Sequence, residues 1–159
     1  MRRTLSALCR NEPGVLAQMA LECGKYGTNI LSLAAGKTEN PEISRIVLCV
    51  EGDGAAIDKI GQYLESLEAI IQLDDLSRKN FVDRELVMVK VAMDRANTGQ
   101  LMQIFEVFRA NVVGMGSETV TVELSGDQER VDGLIKMLKP YGIKSMCRSG
   151  MIALKRGDE

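Results

Sequence analysis

What most constrains this chain is an order of hydrophobic patterns that occurs twice. Near the start, Leu5, Ala7 and Cys9 alternate with Thr4, Ser6 and Leu8, the period of a half-buried strand. Val15, Leu16, Met19, Ala20 and Cys23 then recur at helical spacing. Residues 28–36 form an uncharged strand, 43–50 a β-branched one suited to the middle of a sheet, and Ile57, Ile60, Leu64 and Leu67 mark a second helix before a strand at 69–73. After polar residues 76–80 the order returns. A strand at 86–91 is followed by a helix through Leu101, Ile104, Phe105 and Phe108 and by a hairpin of 111–115 with 119–124. A helix through Val131, Leu134, Ile135 and Leu138 stops at Pro140-Tyr141-Gly142, before a strand at 143–147 and a short addition at 151–154.

Strand, helix, strand, strand, helix, strand, read twice, predicts an α+β protein of two ferredoxin-like βαββαβ units. Each would carry two helices on one face of a four-stranded antiparallel sheet, because right-handed crossovers leave few other closures. The boundary falls between Leu76 and Val82, giving a first domain over 1–77 and a second over 82–159. The second strand of such a unit lies at a sheet edge, where charge or proline normally blocks pairing. Residues 30–36 carry neither, so the expected assembly is a homodimer joined along this edge into one continuous sheet.

Composition removes several function classes. A formal net charge of −2 gives no global attraction to nucleic acid or anionic membrane. The strands present Leu, Val, Ile, Met and Ser where an RNA-binding sheet presents stacking aromatics. With no histidine, catalytic triads, imidazole bases and histidine-ligated metals are impossible, and no catalytic or metal-binding constellation stands out. The 4 cysteines, Cys9, Cys23, Cys49 and Cys147, lack metal-ligand spacing. No bilayer-length apolar run and no secretory leader are seen, and the expected location is cytoplasmic.

The stretch from Asn11 to Leu16 has ligand-binding potential. Pro13 is expected at the first helical position and Gly14 just after it, leaving the first backbone amides unshielded. Open amides and the positive end of a helix dipole suit a small carboxylate, and Asn11 adds a donor and an acceptor. Other motifs are weaker. Gly52-x-Gly54 and Gly114-x-Gly116 lack the lysine and spacing of a phosphate loop. Asp53 and Asp74-Asp75 read as solvated acids, and Arg148, Lys155 and Arg156 as a basic surface.

Asn11-x-x-Gly14-Val15-Leu16, followed by Gly27-x-Asn29-Ile30-x-Ser32-Leu33, resembles the N-terminal ACT domain of the regulatory (small) subunit of acetohydroxyacid synthase, also called acetolactate synthase. Ser44-Arg45, Asp83-Arg84-Glu85-Leu86, Lys90-Val91, Arg148-Ser149-Gly150 and Leu154-x-Arg156-Gly157 extend the resemblance over nearly the whole chain. It implies a subunit without catalysis of its own. Its partner would be a large catalytic subunit that uses thiamine diphosphate, a divalent metal and usually FAD to make acetolactate for valine, leucine and isoleucine synthesis. It further implies activation of that partner and feedback inhibition by a branched-chain amino acid, commonly valine, bound between two chains. Carried over, the effector site uses Asn11, Gly14, Val15 and Leu16 of one chain and Asn29 and Ile30 of the other. Thr28 stands where many relatives have an aromatic residue and Leu31 where an acidic one is common, which bears on effector preference. The alternative is a stand-alone ACT-type amino-acid sensor with the same site and no catalytic partner.

Overall fold

A computed structural model describes residues 1–158 as two compact units, Met1–Val82 together with the segment that begins at Met151, and Asp83–Gly150. The first unit runs β1 (Arg2–Arg10), α1 (Val15–Lys25), β2 (Asn29–Lys37), β3 (Ile43–Glu51), α2 (Gly54–Ser66) and β4 (Ile70–Asp75). Its antiparallel sheet has the order β2-β3-β1-β4. The alternation read in β1 turns Leu5, Ala7 and Cys9 toward the helices, where they meet Ile46, Leu48 and Val50 of β3. Val15, Met19 and Cys23 of α1 and Ile57, Ile60 and Leu64 of α2 close this core. The helical stripes and the strand alternation are therefore two halves of one buried surface.

The second unit repeats the plan with β5 (Phe81–Ala92), α3 (Thr98–Phe108), β6 (Asn111–Met115), β7 (Thr119–Gly126), α4 (Gln128–Leu138) and β8 (Ile143–Arg148). The strand order is β6-β7-β5-β8, the same arrangement. Val87, Val89, Val91, Val120, Val122 and Leu124 face Leu101, Phe105, Val131, Leu134 and Leu138 of the helices. Glu85, only 6% exposed, is held by a two-pronged pair with Arg148, at 2.9 Å from Nε and 2.7 Å from Nη2. Arg148 also reaches Asp132 at 3.0 Å, so it is a structural cation tying β5, β8 and α4 together rather than part of a free basic surface.

The tail departs from the expected division. Its strand β9 (Ile152–Lys155) pairs with β5, whose first residues Phe81 and Val82 count with the first unit. Met151 and Ala153 pack with Val47 and Leu76, beside Phe81, on the face of the first sheet away from the helices. The first unit is thus completed by residues beyond the expected limit at 77. The 76–80 stretch is likewise no bare linker: Leu76 is 1% exposed and opens a single 3-10 turn, Leu76–Arg78, in which Ser77 N donates to the Asp75 carboxylate at 3.1 Å.

Asp74 sits under this strap, opposite Ser6 in the β1–β4 register, and contradicts the reading of a solvated acid. Burial pushes its carboxyl up, but hydrogen bonds from Lys79, Lys155 and Gln72 outweigh that and hold it at about 2. Lys79 Nζ lies 2.5 Å and Lys155 Nζ 3.0 Å from its oxygens. Asp53 and Asp75 are occupied too, Asp53 capping α2 through the amides of Ala55 and Ala56, and Asp75 pairing with Arg3 and Arg78.

Candidate functional site

The β1–α1 turn is built by a glycine in a conformation other residues resist. Gly14 is the N-cap of α1 at φ 91° and ψ −13°, and the first helical residue is Val15. Pro13 therefore lies in the turn and not at the first helical position as expected, because the reversal at Gly14 must precede the helix. A Cβ at Gly14 would meet nothing within 4 Å, so the backbone and not crowding calls for glycine, and the space before the helix stays open. No side chain caps this helix, and its first turn holds no acidic residue. Its leading amides therefore keep their donor capacity, facing a surface cavity of about 260 Å³ lined by Arg10, Glu12, Pro13, Gly14, Gln18 and Glu68 among others.

The four expected residues of this turn play unequal parts. Val15 is 5% exposed with its side chain in the core, so it offers the site only its backbone amide. Leu16, 40% exposed, presents an apolar side chain to the outside. Asn11 is held at two points by the β2–β3 turn: its backbone N donates to Glu42 O at 2.7 Å and its Nδ2 to Pro41 O at 3.2 Å. A carbonyl can only accept, so the amide nitrogen must face Pro41, and Oδ1 is left as the acceptor. A second cavity of about 600 Å³, lined by Arg10, Asn11, Glu12, Asn40, Pro41, Glu42, Ile43 and Ile71, adjoins the first. Pro41 and Glu42 act through their carbonyls, which no side-chain motif announces, and this is why the sequence did not single them out.

The electrostatics suit a zwitterion. The helix start supplies positive potential, while the carboxylates of Glu12 and Glu42 line the adjoining cavity. Arg10 is partly neutralised by Glu68 at 3.4 Å and Glu12 at 3.9 Å. A phosphate dianion would meet these acids without a free cation to offset them, whereas a carboxylate and an ammonium on one carbon find both signs.

Asn29 and Ile30 are not brought to this turn within one chain. In the sheet register Asn29 pairs with Glu51, which also faces Arg2, whereas Arg10 faces Ile43 at the opposite end. The strand Asn29–Lys37 has nine residues, and a rise of about 3.3 Å per residue puts its ends on the order of 26 Å apart. Asn29 is exposed on the edge strand β2, and Ile30 turns inward against the core. The register shifts between Ile30 and Ser32, so Leu31, 38% exposed, sits in a bulge. Thr28 lies beneath the surface against Gly52, where an added Cβ would come within 2.8 Å of its Oγ1, and it forms no part of the exposed edge.

Cys9, Cys23 and Cys49 are buried and Cys147 is exposed. Burial pushes the Cys9 and Cys23 thiols up, with Glu22 adding to the effect at Cys23. Among the described residues no cluster of His, Cys, Asp or Glu is placed to hold a metal ion, and no helix is long and apolar enough to cross a membrane.

Known proteins give this geometry a context. A family model described as the small subunit of acetolactate synthase matches residues 84–157, and one described as an AHAS small subunit-like ACT domain matches residues 5–72. The acetolactate synthase small subunit of Mycolicibacterium smegmatis is 36% identical over 154 residues, covering 97% of this chain and 91% of its own length. The chain belongs to the acetolactate synthase small-subunit family. A probable acetolactate synthase small subunit from Archaeoglobus fulgidus is 32% identical over 159 residues, 100% of this chain and 99% of its own. The crystal structure of the acetolactate synthase small subunit from Thermotoga maritima superposes with a TM-score of 0.85 at 28% identity, covering 100% of this chain and 99% of that one. The N-terminal unit matches the ACT domain of this family, and the uncapped turn at Gly14 belongs to that domain. The Glu85–Arg148 pair, contributed by two of the stretches that carried the family resemblance, is an internal brace of the other unit.

Proposed function

We propose that this chain is the regulatory partner of a catalytic large subunit of acetolactate synthase, raising its activity and transmitting feedback inhibition by a branched-chain amino acid, with valine as the first candidate. The chemistry of synthesis would stay with the large subunit and its thiamine diphosphate, divalent metal and FAD. This chain contributes binding and conformational coupling.

One observation carries the reading: the amide-presenting turn at Gly14 and the edge residue Asn29 lie at opposite ends of the same sheet. Two copies paired antiparallel along β2 would reverse that relation. The Asn29 end of one copy would lie beside the Lys37 end of the other, and Lys37 pairs with Ser44, the neighbour of Cys9 in the register. α1 follows the Arg10 end of β1, which pairs with Ile43 and Ser44, so its open N-terminus stands at that same end. The amides of Val15 and Leu16 would take the effector's carboxylate, and Asn11 and a second copy's Asn29 would accept from its ammonium. Leu16 and neighbouring apolar groups would hold its branched side chain. A methylene more or less shifts such binding by about 1–3 kcal/mol, so valine, leucine and isoleucine should bind with graded affinity.

Inhibition then follows from linkage. An effector acts only through its different affinity for two states, and the uninhibited state of the complex must bind it less well. The test is reconstitution: purified chain is mixed with a catalytic large subunit, and acetolactate formation is measured with and without valine. Activation by the chain and its reversal by valine are expected. Unchanged turnover in both conditions would contradict the partnership, while valine binding without any effect on turnover would favour the stand-alone sensor.

A further inference from the structure

The Asn11 side chain is aimed from outside its own turn. Two consecutive carbonyls of the β2–β3 turn hold it, Glu42 O on its backbone N and Pro41 O on its Nδ2. Those carbonyls are themselves fixed. Glu42 N donates to Asn40 Oδ1 at 3.0 Å, and Ile43 N donates to Asn40 O at 3.0 Å. Thr38 Oγ1 shares its proton between the carbonyls of Asn40 and Ile43, each at 3.0 Å, and accepts from Asn40 N at 3.2 Å. Asn40 is thus bonded through its side-chain oxygen, its carbonyl and its amide, and each bond shapes the peptide units that end in Pro41 O and Glu42 O.

We infer that Asn40 is a positioning residue for the effector site, setting the direction of Asn11 Oδ1 through the carbonyls of Pro41 and Glu42. The inference rests on the effector reading above and goes beyond it by naming a residue that need not touch the ligand. Losing the Asn40 Oδ1 bond frees the Glu42 amide. The peptide unit that joins Pro41 to Glu42, which carries both that amide and the Pro41 carbonyl, can then rotate and loosen the anchor on Asn11 Nδ2, while Ile43 N still donates to Asn40 O and holds the unit of the Glu42 carbonyl. Because this turn ends the edge strand β2, the same residue links the proposed contact between copies to the acceptor that meets the ammonium.

The experiment titrates valine into the full chain by calorimetry for wild type, Asn11→Ala, Asn40→Ala, Asn40→Asp and the Asn11→Ala/Asn40→Ala double variant. Asn40→Ala should weaken valine about fivefold, the scale of one lost hydrogen bond. Asn40→Asp keeps the acceptor oxygen and should stay within about twofold of wild type, well inside that scale. In the Asn11→Ala background Asn40→Ala should have no further effect, since its action runs through Asn11. An equal loss in both backgrounds, or a full-strength Asn40→Ala site beside a weakened Asn11→Ala site, would overturn the inference. Amide exchange provides an arm that needs no ligand. Asn40→Ala should speed exchange at the Glu42 N–H and leave the middle of α1 protected, and unchanged Glu42 exchange would overturn the brace. If wild type takes up no valine, the effector reading fails, and the brace is decided by exchange alone.

Discussion

The two units share one topology and differ at the turn that follows their first strand. After β1, Gly14 turns the chain with no side-chain cap, and Asn11 is pulled sideways onto Pro41 so that its acceptor stays available. After β5, the corresponding turn closes on itself. Asp94 N donates to Asn97 Oδ1 at 2.8 Å, Asn97 N donates to Asp94 Oδ1 at 2.9 Å, and Thr98 Oγ1 donates to the Asp94 carbonyl. In the second unit a carboxylate thus holds the amide of Asn97, the residue just before α3, whereas in the first unit no such ring of side-chain bonds closes the turn before α1. The edge strands differ as well: β2 runs for nine residues, long enough for an extended ladder with a second copy, whereas β6 has five. On the proposed reading, a fold of this kind becomes a binding module where its polar groups are left unsatisfied.

The comparison breaks most sharply at Gly14. Gly14→Asp would place a carboxylate at the uncapped start of α1. Valine binding should fall by at least about 100-fold, the cost of a competing charge in an anion site, while activation of the large subunit persists. A normal valine titration in that variant would remove the site from this turn.

Next in size is the strap that covers the outer face of the first sheet. Met151→Ala should destabilise the chain by roughly 2–3 kcal/mol through the cavity left against Val47 and Leu76. Denaturant unfolding measures this, and an unchanged midpoint would show that the tail adds nothing to the first unit.

Asp74 gives a pH limb of similar or smaller size. Its folded pKa of about 2 lies below the ordinary carboxylate value, so its stabilisation is complete above about pH 5 and is lost as pH falls through about 4 toward 2. The amount is on the order of 2 kcal/mol. Asp74→Asn should flatten this part of the stability profile, and a wild-type acid limb in the variant would exclude the Lys79–Asp74–Lys155 cluster as its source.

The smallest effect on binding is expected in the second unit. Asp94→Ala loses the bond that its carboxylate accepts from Asn97 N and about 1 kcal/mol of stability, while the backbone bond to Asn97 Oδ1 is kept. It should leave the valine affinity of wild type, and a weakened titration would show that the closed turn also contributes to the site.

Much of this architecture was legible in the sequence because it is local and periodic. The alternation of Leu5, Ala7 and Cys9 and the helical stripe through Val15, Met19 and Cys23 report their buried face directly. The candidate turn was legible for a similar reason: the strand alternation that ends at Cys9 and the helical stripe that begins at Val15 bracket it. What was not legible depends on partners distant in sequence. Asp74 reads as one more surface acid until Lys155 arrives 81 residues later to cover it. Met151 and Ala153 look like a trailing addition to the second unit, and only tertiary packing on Val47 assigns them to the first. The brace on Asn11 escaped because its acceptors are backbone carbonyls, which every residue has. The start of α1 was misplaced at Pro13 because proline suits both a turn and a first helical position, and the left-handed Gly14 decided between them.

Complementation tests most directly whether each effector site is shared between two copies. Gly14→Asp chains and Asn29→Ala chains, each defective alone, are unfolded together, refolded as a mixture, and the mixed dimer is isolated through two affinity tags. If the site is shared, one of its two sites combines an intact Gly14 from one chain with an intact Asn29 from the other. The mixed dimer should then bind valine with wild-type affinity at half the wild-type stoichiometry. A mixed dimer as defective as its parents would contradict a site built from two chains.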